Sequence, residues 1–177
     1  MISTDPTTRL DLSARALNLV QSGIVVLDVD YRIVVWNSWM TPRCGRAAAR
    51  VRERSLFEVF PELRGSRVEA AVLAALAEPD VTGAPVAIPQ TENPSPFPLR
   101  AAGSFDGPRI DQAVTVTSFL EEGERYCLIE IRDVSGAAGR ERRLLDHAET
   151  LRARSYVDGL TGIANRRYFD VAIDREL

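Results

Sequence analysis

Two apolar runs near the N-terminus, Ile24-Val25-Val26-Leu27 and Ile33-Val34-Val35-Trp36, are separated only by Asp28-Val29-Asp30-Tyr31-Arg32. β-Branched runs this close together pair most simply as an antiparallel hairpin closed by an acidic turn. A second pair lies far along the chain. Val114, Val116 and Ser118 alternate with Thr115, Thr117 and Phe119, and Tyr126, Leu128 and Glu130 alternate with Cys127, Ile129 and Ile131. Glu121-Glu122-Gly123-Glu124 makes the tight turn between them. Hairpins at both ends of the chain, with helical signals between, predict one antiparallel sheet with helices gathered on one face: an α+β layer.

The helical signals are short and interrupted. A first helix is expected over Asp11 to Gln21, with Leu12, Ala16, Leu19 and Val20 on one side and Gly23 beyond its end, after a polar, flexible start over residues 1–12. Pro42 and Gly45 break the Ala- and Arg-rich stretch from Trp39 to Arg54 into brief turns. Ser55-Leu56-Phe57-Glu58 and Ser66-Arg67-Val68-Glu69 both read as capping boxes. After the second, Val68, Ala71, Val72, Ala75 and Leu76 fall on one helical face, and Pro79 ends the run. Ala84 to Ile88 is the expected third strand. Residues 89–111, with five prolines and no periodicity, read as a long mobile connection.

This order resembles the PAS sensor fold over roughly residues 13–135. Ile33-Val34-Val35-Trp36-Asn37 is similar to the second PAS strand with its terminal Asn. Leu56-Phe57-Glu58-Val59-Phe60-Pro61 is similar to the short helix before the long one. Asp133-Val134-Ser135 resembles the D-[VI]-[TS] triplet that closes many PAS domains, so Asp133 and Ser135 are read as its signalling motif. The resemblance implies a five-stranded antiparallel sheet followed by a C-terminal signalling helix.

Ser135-Gly136-Ala137-Ala138-Gly139 then forms a small-residue joint, and residues 136–157 read as a helical linker. From Arg140 to Tyr156, Leu144, Ala148, Leu151 and Ser155 are spaced 4-3-4, a narrow seam suited to a two-stranded coiled coil. Leu144, Ala148 and Leu151 are thus the expected dimer seam. Arg and Glu or Asp interleave along this helix, a salt-bridged solvated face rather than a nucleic-acid patch.

Residues 158–167, Asp-Gly-Leu-Thr-Gly-Ile-Ala-Asn-Arg-Arg, resemble the entrance of the GGDEF (diguanylate cyclase) family, D-x-L-T-G-L-x-N-R-R, with Ile163 as a mild variant. The likeness covers about the last twenty residues, 158–177. It implies that Asn165 and Asp174 read the guanine of GTP in an intact parent, where GTP and Mg²⁺ are the expected substrate and metal. An amide and a carboxylate can together bond the guanine edge. The same residues also suit a helix cap and a solvated acid. No Gly-Gly pair occurs in the sequence, so the cyclase signature is absent and no catalytic residue is assigned. The chain reads as a sensor plus linker cut just inside a catalytic domain.

Composition narrows the remaining chemistry. All 22 basic residues are arginine, which excludes a P-loop lysine and a Schiff-base amine. A net charge of -3 gives no support for a nucleic-acid partner. No apolar run in the sequence, Gly23 to Leu27 included, is long enough to span a bilayer. Cys44 and Cys127 make no disulfide framework, and a reducing cytoplasm is expected. His147, the single histidine, lies outside 13–135, where a haem-binding PAS histidine would have to stand. Cys44 in Pro-Arg-Cys-Gly-Arg does not match the Asn-Cys-Arg-Phe context of flavin photoreceptors. No cofactor or metal is therefore expected in this chain.

Trp36, Trp39, Phe57, Phe60 and Phe119 are the candidate lining of a pocket for a small apolar ligand, or else simply core. The expected role is a cytoplasmic, homodimeric sensor acting through the signalling helix on a diguanylate cyclase. Two alternatives stand beside it: a ligand-free dimerisation scaffold, and a regulator of a degenerate GGDEF or phosphodiesterase parent.

Overall fold

A computed structural model describes residues 6–77, 85–90, 93–104, 106–137, 139–141, 144 and 147. The chain divides into two compact units, Met1–Ser135 and Gly136–Leu177. In the first, β1 (Gly23–Leu27), β2 (Ile33–Trp36), β3 (Val86–Ile88), β4 (Gln112–Glu121) and β5 (Glu124–Asp133) form one antiparallel sheet in the order β2-β1-β5-β4-β3. Between β2 and β3 lie α2 (Thr41–Cys44), α3 (Ala48–Val51), α4 (Leu56–Val59), a 3-10 turn (Pro61–Leu63) and α5 (Arg67–Ala77). The α+β layer is as expected.

Both hairpins close by local chemistry. Between β1 and β2, one Asp28 carboxylate oxygen accepts from the Asp30 and Arg32 amides at 2.9 and 2.8 Å, while Tyr31 takes a left-handed φ of 64°. Between β4 and β5, Glu122 and Gly123 both have positive φ, 52° and 86°. That is the two-residue turn whose twist suits a hairpin. Alternation along β4 sends Gln112, Val114, Val116 and Ser118 inward, and β5 sends Cys127, Ile129 and Ile131. Val114, Val116, Cys127, Ile129 and Ile131 share one core with Val68 and Val72 of α5, with Ala71, Ala75 and Leu76 packed against it, the face that the helical spacing singled out.

Four expectations are corrected. The first helix, α1 (Pro6–Leu19), already includes the residues ahead of Asp11 and stops at Leu19, short of Gln21. Ser55 does not cap α4 with its side chain. Ser66 does accept from the Glu69 amide at 3.3 Å, and the Glu69 carboxylate reaches back to the Gly65 amide at 2.6 Å.

The Pro-rich connection is anchored: Phe97 and Leu99 are fully buried in the core. Two apolar residues set two apart in irregular backbone leave no periodic trace. Gln112 supplies what that backbone lacks, since its amide group both accepts from Phe97 N–H (3.1 Å) and donates to Phe97 O (2.8 Å). Finally, β3 is short, and β4 and β5 outrun the alternating stretches at both ends. Cross-strand pairing carries the regular backbone past the residues whose side chains are patterned.

In the second unit, residues 139–141, 144 and 147 are helical and Leu144 is exposed. Ala148, Leu151, Asn165 and Asp174 lie outside the described residues.

Candidate functional site

The helical side of the sheet encloses an aromatic interior. Trp36 at the end of β2 stacks on Phe60, with centroids 6.0 Å apart, and Phe60 meets Phe97 edge-on at 5.5 Å. Phe57 of α4 packs edge-on against Tyr31 at 5.6 Å. Trp39 is buried under Arg43, whose guanidinium carbon lies 3.9 Å from its ring. Trp36, Trp39, Phe57 and Phe60 are thus brought into one core. Phe119 is not: it points out of the opposite sheet face and stacks on Tyr126 at 5.5 Å. Phe97 was missed, because it sits in a stretch with no periodic pattern to mark it.

The four rings fill space, and among the described cavities only one includes any of them. That cleft, of about 230 Å³, runs between α1 and β2 and is lined by Leu17, Val35, Trp36, Asn37 and Arg52, among others. Two buried donors in this region have no partner among the described residues, the Trp36 indole Nε1 and the Arg43 Nε. An orphaned buried N–H carries its full desolvation cost, so both are unusual. Burial pushes the Arg43 pKa down, opposed by the nearby Asp133 carboxylate.

Asn37 joins three elements. Its side-chain oxygen accepts from Ile24 N–H at 3.0 Å, and its amide nitrogen donates to Leu17 O and Ser22 O, each at 2.9 Å. The close of the domain is tied down as well. The Asp133 carboxylate accepts from Ser135 N–H at 3.0 Å, the Ser135 hydroxyl accepts from Asp111 N–H at 2.9 Å, and Val134 N–H donates to Asp111 O at 2.8 Å. Asp133 and Ser135 therefore form a latch between the end of β5 and the residue before β4.

Neither cysteine is poised as a thiolate. Burial raises the Cys44 pKa, and it pushes Cys127 up to about 12. Among the described residues no three His, Cys, Asp or Glu gather as a metal site, and no helix is long and apolar enough to cross a membrane.

Residues 17–93 match the family described as PAS fold. No curated protein matches the sequence. Among solved structures, an RNA-binding light-oxygen-voltage receptor is similar with a TM-score of 0.52 and 17% identity, over 88% of this chain and 41% of that one. The PAS domain of nitrogen regulation protein NR(II) from Vibrio parahaemolyticus matches at 19% identity and TM-score 0.44, covering 69% and 97% of the two chains. That of an HTR-like protein from Haloarcula marismortui matches at 21% and 0.47, covering 72% and 98%.

Proposed function

We propose that the unit ending at Ser135, whose residues 17–93 match the PAS fold, is the sensory and dimerisation module of a cytoplasmic bacterial signalling protein whose output is a C-terminal diguanylate cyclase. The observation that carries the sensory reading is the latch. The Asp133-Val134-Ser135 triplet bonds to Asp111, and the next residue, Gln112, is clamped to Phe97 in the aromatic interior. A change in that interior is therefore felt at the last residue before the linker, where two arrangements of one element can bias an output. The cyclase output rests on the likeness of residues 158–167 to a GGDEF entrance. In that parent, Asn165 and Asp174 read the guanine of GTP, and Mg²⁺ neutralises its triphosphate. The homodimer draws support from exposed apolar residues that a second copy could cover: Leu12, Leu19 and Val20 in or just after α1, and Leu144 in the linker helix.

The coding sequence beyond Leu177 is the first test, and absence of a GGDEF-type loop there would refute the cyclase output. If the loop is present, Ser135→Ala in the full-length protein should change cyclic di-GMP output at least severalfold while the PAS unit keeps its circular dichroism. Unchanged output would remove the latch from the signalling path.

One observation favours the ligand-free scaffold instead: Trp36, Trp39, Phe57 and Phe60 are packed to 0–6% exposure. Amide exchange of the core, with and without a library of small apolar ligands, separates the two readings. Protection that no ligand changes favours the scaffold.

A further inference from the structure

The helical segment holds a second, chemically different concavity. A cleft of about 340 Å³ is lined by Gly45, Arg46, Arg50, Val51, Arg54 and Val59. Val51 and Val59, each 2% exposed, make an apolar floor, and three arginines are among its other lining residues. No carboxylate lines it. Arg54 makes a long contact to Glu58, 3.9 Å, between side chains 55% and 60% exposed, which leaves its charge largely available. Among the described residues no acidic side chain pairs with Arg46 or Arg50. The Arg46 guanidinium is held in place, its carbon 4.8 Å from the Phe60 ring centroid. Like charges converge here on a protein of net charge -3, so the cleft is a local reversal of the molecule's field.

We propose that this cleft binds a small phosphate-bearing anion. Planar guanidinium forks match phosphate oxygens two at a time, and three of them offer more donors than one carboxylate can accept. A volume of this size suits a small metabolite rather than a protein loop. The site is separate from the aromatic interior and stands whether or not that interior senses anything. It does touch it, because Arg46 lies on Phe60 and Phe60 stacks on Trp36. Occupation is therefore expected to perturb tryptophan emission.

The test uses calorimetric titration of the whole 177-residue chain with sodium pyrophosphate, ionic strength being held constant with sodium chloride. Saturable binding is expected at millimolar concentration or below, with a matching change in tryptophan fluorescence. Arg50→Gln/Arg54→Gln removes two exposed side chains, so the fold should persist by circular dichroism. Binding should weaken by roughly tenfold or more for each guanidinium lost. The control Arg109→Gln/Arg132→Gln removes the same charge elsewhere on the surface and should bind as the parent does. The proposal is overturned by no saturable binding, by equal loss in the control, or by no loss in the Arg50/Arg54 variant. Binding to phosphatidylglycerol vesicles without binding to free pyrophosphate would assign the cleft to a lipid headgroup and also overturn it.

Discussion

Asn37 shows how much one side chain can hold. It satisfies an amide of β1 and two carbonyls, one of them on α1, so removing it leaves several buried groups without partners. Asn37→Ala is expected to cost on the order of 3 kcal/mol. Urea denaturation measures this, and a loss under about 1 kcal/mol would show that water replaces the amide. Cys127 provides a pH signature. Its folded-state pKa, about 12, lies above the ordinary value of 9.0, so above pH 9 the native state binds more protons than the unfolded chain. Stability contributed by this thiol is complete below pH 9 and is lost as pH rises towards 12, at a slope approaching about 1.4 kcal/mol per unit. Denaturant midpoints at pH 8 and 10.5 should therefore converge in Cys127→Ala. A slope that the variant does not reduce would place the pH dependence elsewhere.

Elements differ in how openly the sequence declares them. The α5 face and the β4 and β5 alternation were legible because burial repeats with the element's own period. The segment carrying Phe97 and Leu99 was not, since its burial depends on Gln112, a residue fifteen positions away along the chain from Phe97. α1 raises the opposite question. Its apolar side was legible, yet Leu12 and Leu19 are 68% and 78% exposed. If α1 completes a dimer, Leu12→Glu/Leu19→Glu should shift light scattering towards the monomer. If the linker seam dominates, Leu144→Glu/Leu151→Glu should do so instead. A dimer that survives both pairs together would move the interface onto the sheet.

For the whole molecule, the absent Gly-Gly signature makes a clear prediction. The 177-residue polypeptide with GTP and Mg²⁺ should form no cyclic di-GMP, and product that disappears on Asn165→Ala would overturn this. By itself the sequence determined the fold class, the hairpins and the α5 face. Each is written in side-chain period and turn residues, which act over a few positions. It also marked Asp133 and Ser135, though as a likeness and not as a latch. Tertiary structure alone decided that Phe119 leaves the aromatic group while Phe97 joins it. It likewise decided that Asp111 is the partner of Ser135, and that Arg46, Arg50 and Arg54 surround one cleft. Those outcomes depend on which distant segments are packed together. No local propensity encodes that, because the contacts exist only once the chain has closed on itself.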